Sequence, residues 1–165
     1  MPEKKWFFDT VALSNFLLSD AMFILERRYG RSAVITWQVY DELSAGFAGY
    51  PGLKRVDGMI DAGMLKRTPL EKKEIGVYLG LVGHLGKGES SCIAAAKVRS
   101  GIVVTDDRAA RTMCRQLGIP VTGTIGMLKA PVTSGQVSLA AADSYLREMI
   151  NAGFYSPVLK IADIV

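Results

Sequence analysis

One histidine and two cysteines are all the imidazole and thiol ligands that this 165-residue chain offers a metal. His84, Cys92 and Cys114 cannot make a zinc finger, which needs four ligands at short paired spacings. Two cysteines are also too few for a disulfide framework. Both fall in segments that read as helices, so reduced thiols are expected. A single histidine removes most serine- or cysteine-nucleophile chemistry, which depends on an imidazole base. No apolar run approaches the ~18 residues of a membrane span. Lys4 and Lys5 before Trp6-Phe7-Phe8 imitate the start of an export signal, but Asp9, Asn15 and Asp20 interrupt the apolar stretch. A cytoplasmic protein with no membrane attachment is expected.

The chain is rich in apolar residues, 49% against 22% charged, which is a folding composition and not a disordered one. Its length fits one domain spanning residues 1–165, large enough to bury a core without covalent staples. Twenty Lys and Arg against sixteen Asp and Glu leave a net charge of +4. This mild basic excess permits a polyanionic partner. The mean hydropathy of +0.20 is high for a small monomer and leaves room for an apolar dimer or partner interface. Tyr145, Leu146, Met149 and Ile150 read as core or dimer surface.

Short apolar runs alternate with helical patterns. Trp6–Phe8 reads as a buried strand ending at Asp9. A helical pattern follows from Val11 to Arg28, broken near Ser19-Asp20 and stopped by Gly30. Ala33–Ile35 is a second strand, after which Thr36 caps a helix with Val39, Leu43 and Phe47 on one face. After a loop at 49–52, the pattern predicts a helix over 53–62, a weak strand at Met64-Leu65 and a helix over 70–82. A glycine-rich turn at 84–88 leads to Glu89, which opens a helix over 90–99. Ile102–Thr105 is the clearest strand, a β-branched run of the kind found in parallel sheets. Asp106-Asp107 starts a helix that stops at Gly118, and residues 119–122 read as an edge strand because of Pro120. Helices finish the chain, with a stop at Gly153 and a restart near Ser156-Pro157. This rhythm predicts βαβ units and a parallel sheet, whose ligands gather at the carboxyl ends of the strands.

Acids stand at those ends. Asp9 follows the first strand, and Asp106 and Asp107 follow the strongest one. Glu42 borders the apolar stripe of its helix, and Glu89 shares a face with Cys92 and Ile93. Taken singly, each has a structural reading. Asp9 and one of the Asp106/Asp107 pair serve as helix caps, Glu89 favours a helix N-terminus, and Glu42 is a solvated helix residue. Taken together, carboxylates converging in one cleft repel one another, and a divalent cation offsets that repulsion. Hard oxygen ligands suit Mg²⁺ or Mn²⁺, and such ions support phosphodiester hydrolysis.

The residues also resemble a known family. Phe8-Asp9-Thr10-Val11-Ala12-Leu13, Val39-Tyr40-Asp41-Glu42-Leu43, Gly86-Lys87-Gly88-Glu89 with Ile93–Ala96, and Val104-Thr105-Asp106-Asp107-Arg108-Ala109-Ala110-Arg111 occur in the order of the four acidic motifs of PIN domains. The stretch Leu117–Leu128 is similar to a narrower, VapC-like prokaryotic branch. The resemblance implies a three-layer α/β/α sandwich with a central parallel sheet. It implies a metal-dependent endoribonuclease with Asp9, Glu42, Glu89 and Asp107 as catalytic residues, and Mg²⁺ or Mn²⁺ held by Asp9, Glu89, Asp107 and Asp106. Thr105-x-Asp107 fits the wider family's spacing, which favours Asp107 as the fourth ligand and Asp106 as a cap or supporting group. Many such proteins are toxins held inactive by a small antitoxin. The chain departs from the pattern at Val11, where relatives carry a hydroxyl or amide, so that contact is absent or moved to Thr10.

Arg108 and Arg111 lie on the helix after the acidic pair, at a helical spacing that could meet RNA phosphates, although a solvated face is the commoner outcome for such a charge run. The turn at 83–90 is not a phosphate loop. Gly-x₄-Gly-Lys-Ser/Thr would place its first glycine at Leu81 and its hydroxyl at Gly88. His84 reads as a loop residue. Two other readings stay open: a non-catalytic nucleic-acid-binding module, and a phosphoesterase acting on small phosphates. The partners expected on the leading reading are RNA, an antitoxin protein and a second copy of the chain.

Overall fold

The computed structural model describes residues 3–165. Trp6–Phe8 form β1, and Thr10–Leu17 form α1. A short α2 (Met22–Ile24) runs into a π-helical turn at Leu25–Tyr29. Gly30 ends that turn at φ +39, a conformation few other residues adopt. β2 is Ala33–Thr36 and α3 is Trp37–Ala45. A 3₁₀ turn at Pro51–Lys54 leads to α4 (Arg55–Asp61), then β3 (Lys66–Thr68) and α5 (Lys72–Leu81). α6 is Lys87–Arg99, β4 is Ile102–Val104 and α7 is Arg108–Gln116. β5 (Val121–Thr122), α8 (Thr124–Thr133), α9 (Leu139–Asn151) and a 3₁₀ turn at Ile161–Ile164 complete the chain.

The five strands form one sheet in the order β3-β2-β1-β4-β5, and every neighbouring pair is parallel. With its helical layers the molecule is a three-layer α/β/α sandwich. β1 lies at the centre with Phe7 and Phe8 fully buried, each worth ~2–3 kcal/mol of apolar burial. α6 packs across β1, β2 and β4. Its run Cys92–Ala96 is buried almost completely, and the small Ala94-Ala95-Ala96 side chains allow close approach to the sheet. Both cysteines are free and buried.

The alternation of apolar runs locates the strands, with local shifts. The third strand is Lys66–Thr68, just after the Met64-Leu65 of the sequence reading. Leu65 is buried as a core plug, while the three following residues pair with β2. α6 begins at Lys87 and not at Ser90, because Gly86 serves as its N-cap. Glu89 therefore lies inside the first helical turn. The expected helical restart near Ser156-Pro157 is irregular chain, and only Ile161–Ile164 turn helically.

α5 and α6 are clamped together by an ion pair. Arg99 donates to Glu74 Oε2 at 2.6 Å and Oε1 at 2.7 Å, and also to Thr68 Oγ1 and the Pro69 carbonyl at 3.0 Å. Burial opposes ionisation of Glu74. The bonds from Arg99 and from the Glu71 backbone outweigh it and hold the carboxyl below its ordinary range.

Candidate metal centre

A parallel sheet places the start of each following helix at the same edge, and here that edge collects acids. Asp9 is the N-cap of α1, its Oδ1 accepting from the Ala12 N–H at 2.8 Å. Asp107 is the N-cap of α7, its Oδ2 accepting from the Ala110 N–H at 2.8 Å. Glu89 lies in the first turn of α6. Asp106 reaches the N-terminus of α8, where Oδ1 accepts from the Thr124 N–H at 2.8 Å and Oδ2 from the Thr124 hydroxyl at 2.5 Å. Each acid thus faces the positive end of a helix, which offsets part of their mutual repulsion.

Asp9, Glu89, Asp106 and Asp107 line one cleft of about 550 Å³. Among the described residues, its lining contains no Lys, Arg or His. The rest of the lining is largely apolar and includes Val11, Leu18, Tyr50, Phe154 and Tyr155. Asp9 is buried, and desolvation pushes its carboxyl up to about 7, against the bonds from Thr105 and Ala12. The Asp106 and Glu89 charges act in the same direction as burial. Glu89 is raised for the same reason, burial first, with the Asp107 and Glu42 charges adding to it.

Glu42 stands beside this group without lining the cleft. Its Oε1 accepts from the Thr10 hydroxyl at 3.2 Å. A Cβ at Gly88 would collide with that same carboxylate oxygen, so a larger residue there would displace Glu42 from the start of α6. At Gly123 a Cβ would come within 2.5 Å of Asp106 Oδ1. These close approaches cradle carboxylates at bare backbone. Val11, the departure from the family pattern, is exposed at the mouth, and the hydroxyl next to it, Thr10, serves Glu42.

The division of labour within the acidic pair differs from the sequence reading. Asp107 is the helix cap, and Asp106 bridges to α8. The reason lies outside the local sequence, because Thr124 and Asn15, the partners of Asp106, are contributed by other elements. Arg108 is exposed at the first position of α7. Arg111 is half-buried and donates to the Thr105 carbonyl at 3.0 Å, so it braces the acidic loop from below. His84 is exposed on its turn, away from the cleft lining.

The holding roles of three residues, Thr105, Asn15 and Thr124, escaped the sequence reading. The Thr105 hydroxyl donates to Asp9 Oδ2 and accepts from the Asp107 N–H at 3.1 Å. Asn15 donates to the Thr124 hydroxyl at 3.0 Å and to Asp106 at 3.5 Å. The available signal was Asn15 itself, a buried amide flanked in α1 by the buried Ala12, Leu13, Phe16 and Leu17.

The donor set fits a hard divalent cation: oxygen only, strongly anionic and partly desolvated. Among the described residues no three acidic, imidazole or thiol side chains form a ready-made ion cage. The acids instead line the cleft separately, each tied to a helix start. A model of the PIN-domain family matches residues 5–164. The chain therefore belongs to the PIN-domain family, a nuclease-type fold associated with nucleic acid. No curated protein matches it significantly. Among the described residues no helix is long and apolar enough to cross a membrane.

Proposed function

We propose that this protein is a Mg²⁺- or Mn²⁺-dependent endoribonuclease that hydrolyses RNA phosphodiester bonds. The observation that carries this reading is the gathering of Asp9, Glu89, Asp106 and Asp107 in one cleft with no cation on its lining. An RNA phosphate entering such a cleft meets only like charge, so binding there requires counter-charge from solution. Asp9, Glu89 and Asp107 would hold the ion, with Asp106 as a further oxygen donor. A bound divalent ion would supply charge neutralisation and activation of water. The chain's own residues orient this set. Thr105 holds Asp9 against the Asp107 backbone, Thr10 holds Glu42, and Asn15 with Thr124 holds Asp106. Arg108, exposed beside the cleft, is suited to a flanking phosphate.

The VapC-like affinity, with a small antitoxin as inhibitor, a homodimeric state and a cytoplasmic setting, belongs to the same reading. The test is cleavage of RNA in Mg²⁺ or Mn²⁺, with and without chelator, by the native chain and Asp9→Asn. Cleavage that needs the ion and is lost in the variant supports the reading. Chelator-resistant cleavage, or full activity in Asp9→Asn, overturns it. RNA binding without cleavage under either ion points to a binding module.

A further inference from the structure

A second hollow, of about 490 Å³, opens beside the edge strand β3. Arg31, Trp37, Lys66 and Arg67 line it. The Arg67 guanidinium lies 3.7 Å from the Trp37 ring centroid and 4.4 Å from that of Tyr40. The two rings meet edge to face, with centroids 6.1 Å apart. The guanidinium is therefore fixed by two aromatic surfaces.

What Arg67 lacks is an anion. Among the described residues it joins no ion pair; those found belong to Arg99. The nearby carboxylate of Asp57 accepts from the Tyr40 hydroxyl at 2.7 Å. Arg31 and Lys66 are exposed on the same hollow, and no acid is among its lining residues. Trp37, at 43% exposure, leaves much of a large aromatic side chain open to solvent. An ordered guanidinium fork with neighbouring cations is a phosphate receptor, and the part of the indole that Arg67 leaves exposed is a stacking surface.

We propose that this hollow binds a nucleotide of a single RNA strand, with the phosphate on Arg67, Arg31 and Lys66 and the base stacked on Trp37. An acidic peptide would satisfy the cations but leave the indole unused, which favours the nucleotide. β3 lies two strands from β1, ~10 Å across the sheet. Trp37 also opens the helix that carries Glu42. A strand held here is thus positioned along the same molecule as the acidic cleft, while binding at this hollow requires no cleavage.

The experiment uses the full chain in chelator, so that no hydrolysis occurs, and a short oligoadenylate as probe. Trp6, the other tryptophan, packs edge-on against Tyr29, which leaves Trp37 as the solvent-facing reporter. The oligonucleotide should quench tryptophan emission, and its affinity should fall as salt rises. Lys66→Glu, Arg67→Lys and Trp37→Ala should each weaken binding about tenfold, read by anisotropy of labelled oligonucleotide. Trp37→Phe should abolish the quench while leaving affinity within about threefold, since a ring for stacking remains. Lys66 is exposed, so Lys66→Glu should keep the native melting temperature and leaves the test valid if an Arg67 variant misfolds. Unchanged affinity in Lys66→Glu and Trp37→Ala overturns the proposal. So does a quench lost in Asp9→Asn, which would place the RNA in the acidic cleft. Equal competition by polyglutamate or by inorganic phosphate overturns it too, in favour of a peptide-docking or simple anion site.

Discussion

Thr105 is the hinge pin of the acidic cleft, because its hydroxyl donates to Asp9 Oδ2 and accepts from the backbone N–H of Asp107. One side chain at the end of β4 thereby sets the distance between the acid that ends β1 and the acid that begins α7. Thr105→Val keeps the shape but removes both bonds. It leaves a buried carboxylate oxygen and an N–H without their partner, at a cost of ~1–3 kcal/mol. Urea unfolding should show that loss, and ion-dependent RNA cleavage should fall with it. Thr105→Ser should restore most of both. Equal behaviour of the Val and Ser variants would remove the hydroxyl from this role.

Asp9 is a charge buried without a cation partner of the protein's own. Asp9→Asn should therefore raise the stability of the ion-free protein by more than ~1 kcal/mol at pH 8, where the native carboxyl is ionised at the expense of the fold. Added Mg²⁺ or Mn²⁺ should raise the melting temperature of the native chain and leave that of the variant nearly unchanged. An equal ion-induced shift in both proteins would mean that the ion binds elsewhere.

The neighbouring acids should separate cleanly by substitution. Asn is nearly as good a helix cap as Asp, so Asp107→Asn should keep its stability within ~0.5 kcal/mol while losing hydrolysis. Asp106→Asn replaces one of two accepting oxygens by a donor group opposite Thr124, and should cost ~1–2 kcal/mol in thermal or urea unfolding. The reverse order of stabilities would contradict the bonding described.

Arg108 and Arg111 should differ despite their shared helix. Arg108→Glu should weaken RNA binding and reduce the salt slope by about one, with the fold intact. Arg111→Glu should also lower the melting temperature, because it removes the bond to the Thr105 carbonyl. Salt titrations of binding beside thermal melts check both expectations.

Glu74 provides an acid-sensitive element remote from the cleft. Its folded pKa lies below the unfolded value of ~4.3, so the pair with Arg99 contributes fully above that pH. The contribution is lost as pH falls through the depressed folded value. Glu74→Ala should cost ~3 kcal/mol at neutral pH, because it strands the partly buried Arg99, and the difference from the native chain should shrink in acid. A difference independent of pH would exclude the ionised pair as its source.

The strands at 6–8 and 102–104 are legible in the chain because parallel strands covered on both faces must be apolar at every position. The helix caps Asp9 and Thr36 are legible because capping is a local bond between neighbours in sequence. Even the α/β class follows from such local signals, together with the order of the acidic motifs. Which of Asp106 and Asp107 caps α7 was not legible. That choice depends on Thr124 and Asn15, 18 and 91 residues away from Asp106 and brought to it only by the packing of α1 and α8. The Trp37–Arg67 stack is hidden for the same reason, since those residues lie on separate strand–helix units that meet only because β2 and β3 pair. The sequence by itself determined the parallel α/β rhythm and the acids at its strand ends, through burial and local hydrogen bonding. Only the tertiary structure decided which carboxylates share a cleft and which hydroxyls and amides hold them, because long-range contacts carry no periodic signature in the chain.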